Sequence, residues 1–280
     1  MDSMQKGKVR DYFNYVSDDY LQVYTEVLPS DSIQAYIFQE RKEYILNLLG
    51  KNGGRVLDVG CGPAIFINEL LERGCQVWEV DISHKMIEHA KKILGKNEST
   101  AKVEFLVGDT EHLSFPNNFF DCVLCVGVLE YIDNEKKSLE EISRVLKPGG
   151  ELILTVPNIT SPFNKLDRLL MKLFRICFHI YRYLSISLGR EVYLPEKKLS
   201  LRTDITNRLY SSRLLDRTLA KEGLKVVDKK YHIYRFAFLN PLIPSFGIWL
   251  SKKGDIFEKL HLDQMGVNCI IKAIKKHDTY

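Results

Sequence analysis

Asp58, Gly60 and Gly62 lie in VLDVGCGPAIFINEL (56–70), an apolar run broken by a Gly-Cys-Gly turn and resumed at helical spacing by Ile65, Phe66 and Leu70. The pattern predicts a strand, a tight turn and the first turn of a helix. Glycine leaves the backbone bare for a ligand to approach, and the helix start adds N–H groups that have no partner within the helix. Two further carboxylates close later strands, Asp81 at the end of QVWEVDI and Asp109 at the end of KVEFLVGD. The first can accept two ribose hydroxyls and the second an adenine amino group. Asp58 can hold the turn itself or a ligand ammonium through water. The dinucleotide fingerprint G-x-G-x-x-G is not completed, because Ile65 takes its third place. These residues therefore suit a nucleoside ligand without a pyrophosphate better than a nicotinamide dinucleotide.

Such carboxylates act together only if successive strands end on one edge of one sheet. The chain meets that condition by alternation: RVLDV, QVWEVDI, KVEFLVGD, FDCVLCVGV and ELILTVP read as strands, and AIFINELLER, SHKMIEHAKKIL and NEKKSLEEISRVLK as helices. Ser83 is placed to cap the second helix, and Pro148-Gly149-Gly150 closes the third. This rhythm predicts a doubly wound α/β fold with a mostly parallel sheet. Its strands are near-continuously apolar, as strands covered on both faces are. Ligands bind beyond the carboxyl ends of such strands, where strand order reverses. Cys122 and Cys125 form a CxxC inside a strand, face opposite sides, and read as core residues. No metal site is expected.

The stretches VLDVGCGPA (56–64), VDISHKMIEHA (80–90), VGDTEHLSF (107–115), FDCVLCVGVLEYIDN (120–134) and LKPGGELILTVPN (146–158) together resemble the class I S-adenosylmethionine-dependent methyltransferases. Ala64 stands where many members have a third glycine. The resemblance implies a seven-stranded Rossmann-like methyltransferase sheet and S-adenosyl-L-methionine as cofactor. It places Gly60 and Gly62 at the methionine part, Asp81 at the ribose, Asp109 at the adenine, and the backbone of Val126 and Gly127 at the methionine ammonium. Ile82 and Thr110 join the same set, as does Asp58. Candidates near the methyl are His112, Glu130 and Tyr131, with Asp133 beyond them. Tyr131 stands where many relatives carry histidine, and a tyrosine hydroxyl is a poor base near neutral pH, though it can orient an acceptor. Tyr12, Phe13 and Tyr20, in an aromatic helical segment, resemble a lid over the cofactor; plain packing of that helix on the domain is the other reading.

After Pro157 the rhythm breaks. Residues 161–188 read as a long helix in which Lys165, Arg168, Lys172, Arg175, His179 and Arg182 recur every three or four residues. At 3.6 residues per turn they share one side, an arc of roughly 100°. A helix lying on a membrane surface is one reading, and a core-packed lid with a solvated basic face is the other. SSRLLDRTLAKEG, LKVVDKKYHIY and MGVNCIIKAIKK then supply a helix and two strands. The expected organisation is a helical lid segment (1–50), the cofactor-binding α/β core (51–160), a basic and apolar helical insertion after the fifth strand (161–209) and a completion of the core (210–280).

With 280 residues, 45% apolar and 27% charged, the composition is that of a soluble globular protein. The charge of +4 is nearly balanced, and no basic, aromatic-interleaved surface points to nucleic acid. The N-terminus lacks the apolar core of a secretory signal, and six scattered cysteines fit a reduced compartment. The expectation is a cytoplasmic enzyme, peripheral on the cytoplasmic membrane face if the basic helix lies on lipid. It would methylate a small-molecule or lipid-linked acceptor at oxygen, in the manner of the quinone-pathway O-methyltransferases it resembles. A water-soluble metabolite or sugar is the rival acceptor, and a non-catalytic methyltransferase-like binding subunit the rival class.

Overall fold

A computed structural model of the chain describes residues 4–25, 33–50, 53–95, 102–170, 172–173, 176, 205, 208–234, 249–260 and 262–277. Helices α1 (Met4–Thr25) and α2 (Ile33–Leu48) come first. Then β1 (Arg55–Val59), α3 (Ile67–Glu72), β2 (Gln76–Asp81), α4 (His84–Leu94), β3 (Val103–Val107), β4 (Phe120–Val126), α5 (Glu135–Val145) and β5 (Leu146–Pro157) alternate. A helix follows at 162–170 (α6), and α7 (Ser212–Lys221), β6 (Leu224–His232), α8 (Gly254–Lys259) and β7 (Asn268–Lys275) complete the order. The seven strands form one sheet, β3-β2-β1-β4-β5-β7-β6. β1 to β5 run parallel, and β7 is antiparallel to both β5 and β6. The order reverses between β1 and β4, so the carboxyl ends of β1, β2 and β4 meet at one point.

Period-two alternation divides the strands between two cores. Leu57, Val59, Val123, Cys125, Leu152 and Leu154 pack with Leu139 and Ile142 of α5 and with Leu215 and Leu219 of α7. Val56, Val77, Cys122, Leu124 and Ile153 pack on the other side with Phe66, Leu70 of α3 and Ile45 of α2. Cys122 and Cys125 thus fall in different cores, as their spacing requires.

Two local boundaries differ from the sequence reading. α3 begins at Ile67 rather than at Ala64, because Gly62 and Ala64 both take positive φ, 55° and 58°, and hold 62–66 in turns. α5 ends at Val145, with Leu146 already extended at ψ 139°, and the strand runs through Pro148-Gly149-Gly150 instead of starting after it. Of the long helix expected over 161–188, residues 162–170, 172–173 and 176 are described as helical. Arg175, His179 and Arg182 lie outside the described residues, as does most of 189–209.

Arg208 and Tyr210, where that insertion ends, clamp the turn at the carboxyl end of β4. Leu129–Tyr131 form a short 3-10 turn after β4. The buried Tyr210 hydroxyl donates to Leu129 O at 2.8 Å, Arg208 N donates to Glu130 O at 3.1 Å, and Arg208 Nη2 donates to Asp133 O at 3.1 Å. Tyr210→Phe leaves a buried carbonyl without that donor. The expected loss of stability is about 1–2 kcal/mol, read as a lower midpoint at unchanged slope in urea unfolding.

Candidate active site

A pocket opens at the point where strand order reverses, walled by the turns after β1, β2 and β4 and covered by α1 and α2. Asp58, Gly60, Gly62, Asp81, Ile82, Thr110, Val126, Gly127, Glu130 and Tyr131 all line it.

The turn after β1 is built around positive backbone angles, φ 65° at Gly60 and 55° at Gly62. The two glycines do different work. A Cβ on Gly60 would collide with the Val128 side chain, so this glycine lets the β1 and β4 turns touch. A Cβ on Gly62 would meet nothing within 4 Å, so this glycine faces open space. Gly62 N donates to Asp81 Oδ2 at 2.9 Å and Ser83 N to Asp81 Oδ1 at 2.8 Å. Ser83 caps α4, its hydroxyl accepting from Met86 N. Asp81 therefore ties the glycine turn to the start of α4 and keeps spare lone pairs for a ligand. Burial pushes its carboxyl up to about 6, against the two backbone N–H bonds that hold it down. Gly127, φ 71°, is held by its own N–H donating to Thr155 Oγ1 at 2.8 Å.

Glu130 lines the pocket beside the turn after β4. Its residue is buried, and Oε2 has no hydrogen-bond partner. Burial raises its carboxyl to about 7, against the nearby Arg41 charge. Arg41 reaches the same place from α2: its Nη1 and Glu130 Oε1 lie 3.8 and 3.9 Å from where a Gly127 Cβ would stand. A guanidinium there suits a carboxylate. Phe13, Tyr20 and Phe38 add an aromatic cover, and Phe13 meets Tyr131 edge-on at 5.2 Å.

Three of the candidate residues lie outside the pocket lining. His112 does not line the pocket; its side chain is 72% exposed, 3.8 Å from Asp109. Asp109 does not line it either. Its carboxylate receives Lys6 Nζ at 2.7 Å and Glu111 N at 2.9 Å, while neighbouring Gly108 and Thr110 face the cavity. Tyr12 packs with Val9 and Val16 in a small buried cluster, which is the packing alternative given for it above. In each case the side chain is claimed by α1 or by solvent, which local sequence does not reveal. Conversely, Lys6, Phe38 and Arg41 line the pocket and were missed. One signal was available for Arg41. Ile37, Arg41 and Ile45 fall at i, i+4 and i+8, and the two isoleucines are buried, so a charge interrupts a core-facing stripe.

A doubly wound sheet with a bare glycine turn and acidic strand ends defines a nucleoside-binding α/β protein. Residues 57–154 match the family described as a methyltransferase domain. The ubiquinone biosynthesis O-methyltransferase of Xanthomonas oryzae is 33% identical over 121 residues, 43% of this chain and 50% of that protein. The ubiquinone/menaquinone biosynthesis C-methyltransferase of Pseudomonas entomophila is 30% identical over 169 residues, 59% of this chain and 63% of that protein. The chain thus spans about half to two thirds of the length of these curated relatives. The magnesium protoporphyrin IX methyltransferase of Synechocystis, crystallised with bound SAH, shares the fold at TM-score 0.63 and 17% identity, over 97% of this chain and 100% of that one. Residues 57–154 of this chain thus match a methyltransferase domain, and the pocket at their strand ends has the residue types that S-adenosylmethionine needs. Open space faces Gly62, Asp81 has acceptor capacity for ribose, Asp58 offers a carboxylate, and Arg41 offers a partner for a methionine carboxylate.

The different roles of the glycines give a paired test. Gly60→Ala drives a methyl into Val128 and should lower the unfolding temperature clearly. Gly62→Ala should keep most of the fold, since Ala64 already shows that a methyl is borne at φ 58° in this turn, yet weaken S-adenosylmethionine binding by calorimetry.

Burial raises Asp81 and Glu130 above their unfolded values near 4. The folded chain then holds protons that the unfolded chain releases, so their contribution to stability is full below about pH 4 and is lost as pH rises through about 6 and 7. Glu130→Gln should flatten the fall in stability between pH 5 and 8 relative to the wild type.

Proposed function

We propose that this chain is an S-adenosylmethionine-dependent methyltransferase that methylates a small, largely apolar acceptor at oxygen, with Glu130 as the base. The observation that carries the reading is a buried carboxyl with an unpartnered oxygen, placed in the pocket wall beside Gly127 and Tyr131. S-adenosylmethionine supplies a methyl group already activated on a sulfonium. What is left to the protein is alignment, exclusion of water and handling of one proton.

Asp81 is assigned to the ribose hydroxyls, Arg41 to the methionine carboxylate, and Asp58 with the Gly127 backbone to the ammonium end. The acceptor half is bounded by Phe13, Tyr20, Phe38, Tyr131 and Ile132, which favour an aromatic or aliphatic acceptor over a sugar. Glu130 Oε2 takes the acceptor's hydroxyl proton. A carboxyl near 7 can do so at neutral pH and can give the proton back to solvent afterwards. Tyr131 orients the acceptor rather than deprotonating it. The quinone-pathway activities of the curated relatives agree with such an acceptor, and they include both oxygen and carbon methylation.

The test is methyl transfer by the purified chain to a panel of catechols, alkyl phenols and a short-chain quinol, with products assigned by NMR. O-methyl products carry the proposal; a C-methyl product, or cofactor binding with no transfer to any hydroxyl, overturns it. Glu130→Gln should lower turnover about 10²–10⁴-fold with cofactor affinity nearly unchanged. In the wild type kcat/KM should rise with pH to a plateau above about 7, because the base acts unprotonated, and the variant should lose that rise.

A further inference from the structure

Two elements outside the pocket wall expose apolar side chains beside basic ones. In α6 and its continuation, Leu166, Leu169, Leu173 and Ile176 are 41, 54, 49 and 50% exposed. At about 100° per residue these four fall within an arc of about 80°. The exposed Lys165, Arg168 and Lys172 fill the adjoining arc, and the buried Phe163 and Asp167 take the side that faces the protein. Residues 249–262 repeat the pattern. Trp249, Ile256, Leu260 and Leu262 are 55, 48, 61 and 44% exposed, with the exposed Lys252, Lys253 and Lys259 among them.

The two elements are neighbours. Phe163 meets Tyr234 edge-on at 6.4 Å, and Tyr234 stacks on Phe257 at 4.3 Å. Ser161 Oγ donates to Met265 O at 2.7 Å, and Asn158 Nδ2 donates to Gln264 O and Gly266 O at 2.7 and 2.8 Å. Together, the described residues of 159–176 and 249–262 include six Lys/Arg against three Asp/Glu, an excess of three in a chain whose total is +4. Among the described residues no helix is long and apolar enough to cross a membrane.

We propose that these two adjoining elements form one docking surface for an anionic lipid bilayer. Apolar side chains of this kind enter the boundary between headgroups and acyl chains. Lysine stems lie along the same boundary and lift their ammonium groups to the phosphates. The charge excess selects an anionic surface over a neutral one, and each Lys or Arg near it strengthens binding about fivefold. The surface lies apart from the pocket, so docking does not depend on which acceptor the pocket takes. A lipid-linked acceptor would gain from it by being met at the membrane.

The test uses the full chain and vesicles of phosphatidylcholine with or without a minority of phosphatidylglycerol, read by sedimentation and tryptophan emission. Trp78 is fixed between Phe119 and Phe120 at 5.4 Å from each, so a blue shift reports Trp249. The expected result is salt-sensitive binding to the anionic vesicles only, with a blue shift. Lys165→Glu with Lys172→Glu should weaken it at least tenfold, and Leu169→Ser with Leu260→Ser should remove the part that survives high salt. Calorimetric binding of S-adenosylhomocysteine, unchanged in both double variants, shows that they are folded. No binding to anionic vesicles at low salt, equal binding to both lipids, or indifference to both double variants overturns the proposal. So does a dimer that Leu260→Ser dissociates and that excludes vesicles, since a second copy would then be the occupant. Methyl transfer is not part of the readout, so failure here leaves the proposed activity standing, and the reverse.

Discussion

The site depends on one constraint: carboxyls must be buried where three strands end, and each must be made tolerable there. Asp58 and Glu79 stand opposite each other in the β1–β2 register, 2% and 0% exposed. They continue the face begun by Val56 and Val77, so two acids occupy positions that the lower sheet gives to valine. Burial, and then the charge of Asp58, push the Glu79 carboxyl well up; burial and the Asp81 charge do the same to Asp58. Like charges this close cannot both ionise in a low-dielectric interior. Asp81 is relieved differently, by two backbone N–H donors, and that relief also shapes the glycine turn. The turn, the start of α4 and the acidity of the site are one solution, which is why Gly62, Asp81 and Ser83 behave as a unit.

Much of this was legible because it is local. Strand, turn and helix alternate with clear periods, and the sheet order follows from crossover rules once the strands are known. The glycine turn, Asp81 and the Gly127 corner each announce themselves by residue type at a strand end. The boundaries that moved did so for backbone reasons. Ala64 at positive φ delays α3, and Leu146 turns extended two residues before the Pro-Gly-Gly that marks the helix stop in the sequence.

What was not legible comes from far along the chain. Lys6 reaches Asp109 and Glu111 across more than a hundred residues, at 2.7 Å from each. It claims both carboxylates of the loop after β3 without any mark in VGDTEHLSF itself. α1 is further fixed by Ser83 Oγ donating to Asn14 Oδ1 at 2.7 Å, so its position is decided by polar pairs between segments that share no pattern. Arg41 is the intermediate case. Its break in an apolar stripe is visible, but its destination becomes clear only when α2 is laid against β4 and β5. His112 is the opposite case, a chemically apt residue whose loop turns it to solvent.

The charge pattern also explains why a shared architecture takes a different ligand here. In dinucleotide-binding folds the glycine turn and helix N-terminus meet a pyrophosphate, and bare N–H groups suit its anionic oxygens. In this chain the same turn is backed by Asp58, Glu79 and Asp81, and one of its N–H groups is already given to Asp81. A phosphate brought there would meet carboxyls, with Lys6 committed to Asp109 and Glu111. A ligand carrying an ammonium and a sulfonium meets the reverse: each positive centre favours ionisation of carboxyls that burial and neighbouring acids hold toward neutrality. The missing third glycine of the fingerprint is then the lesser difference. What excludes the pyrophosphate is the buried acid beneath the turn, and the same acid is what prepares the pocket for a cation.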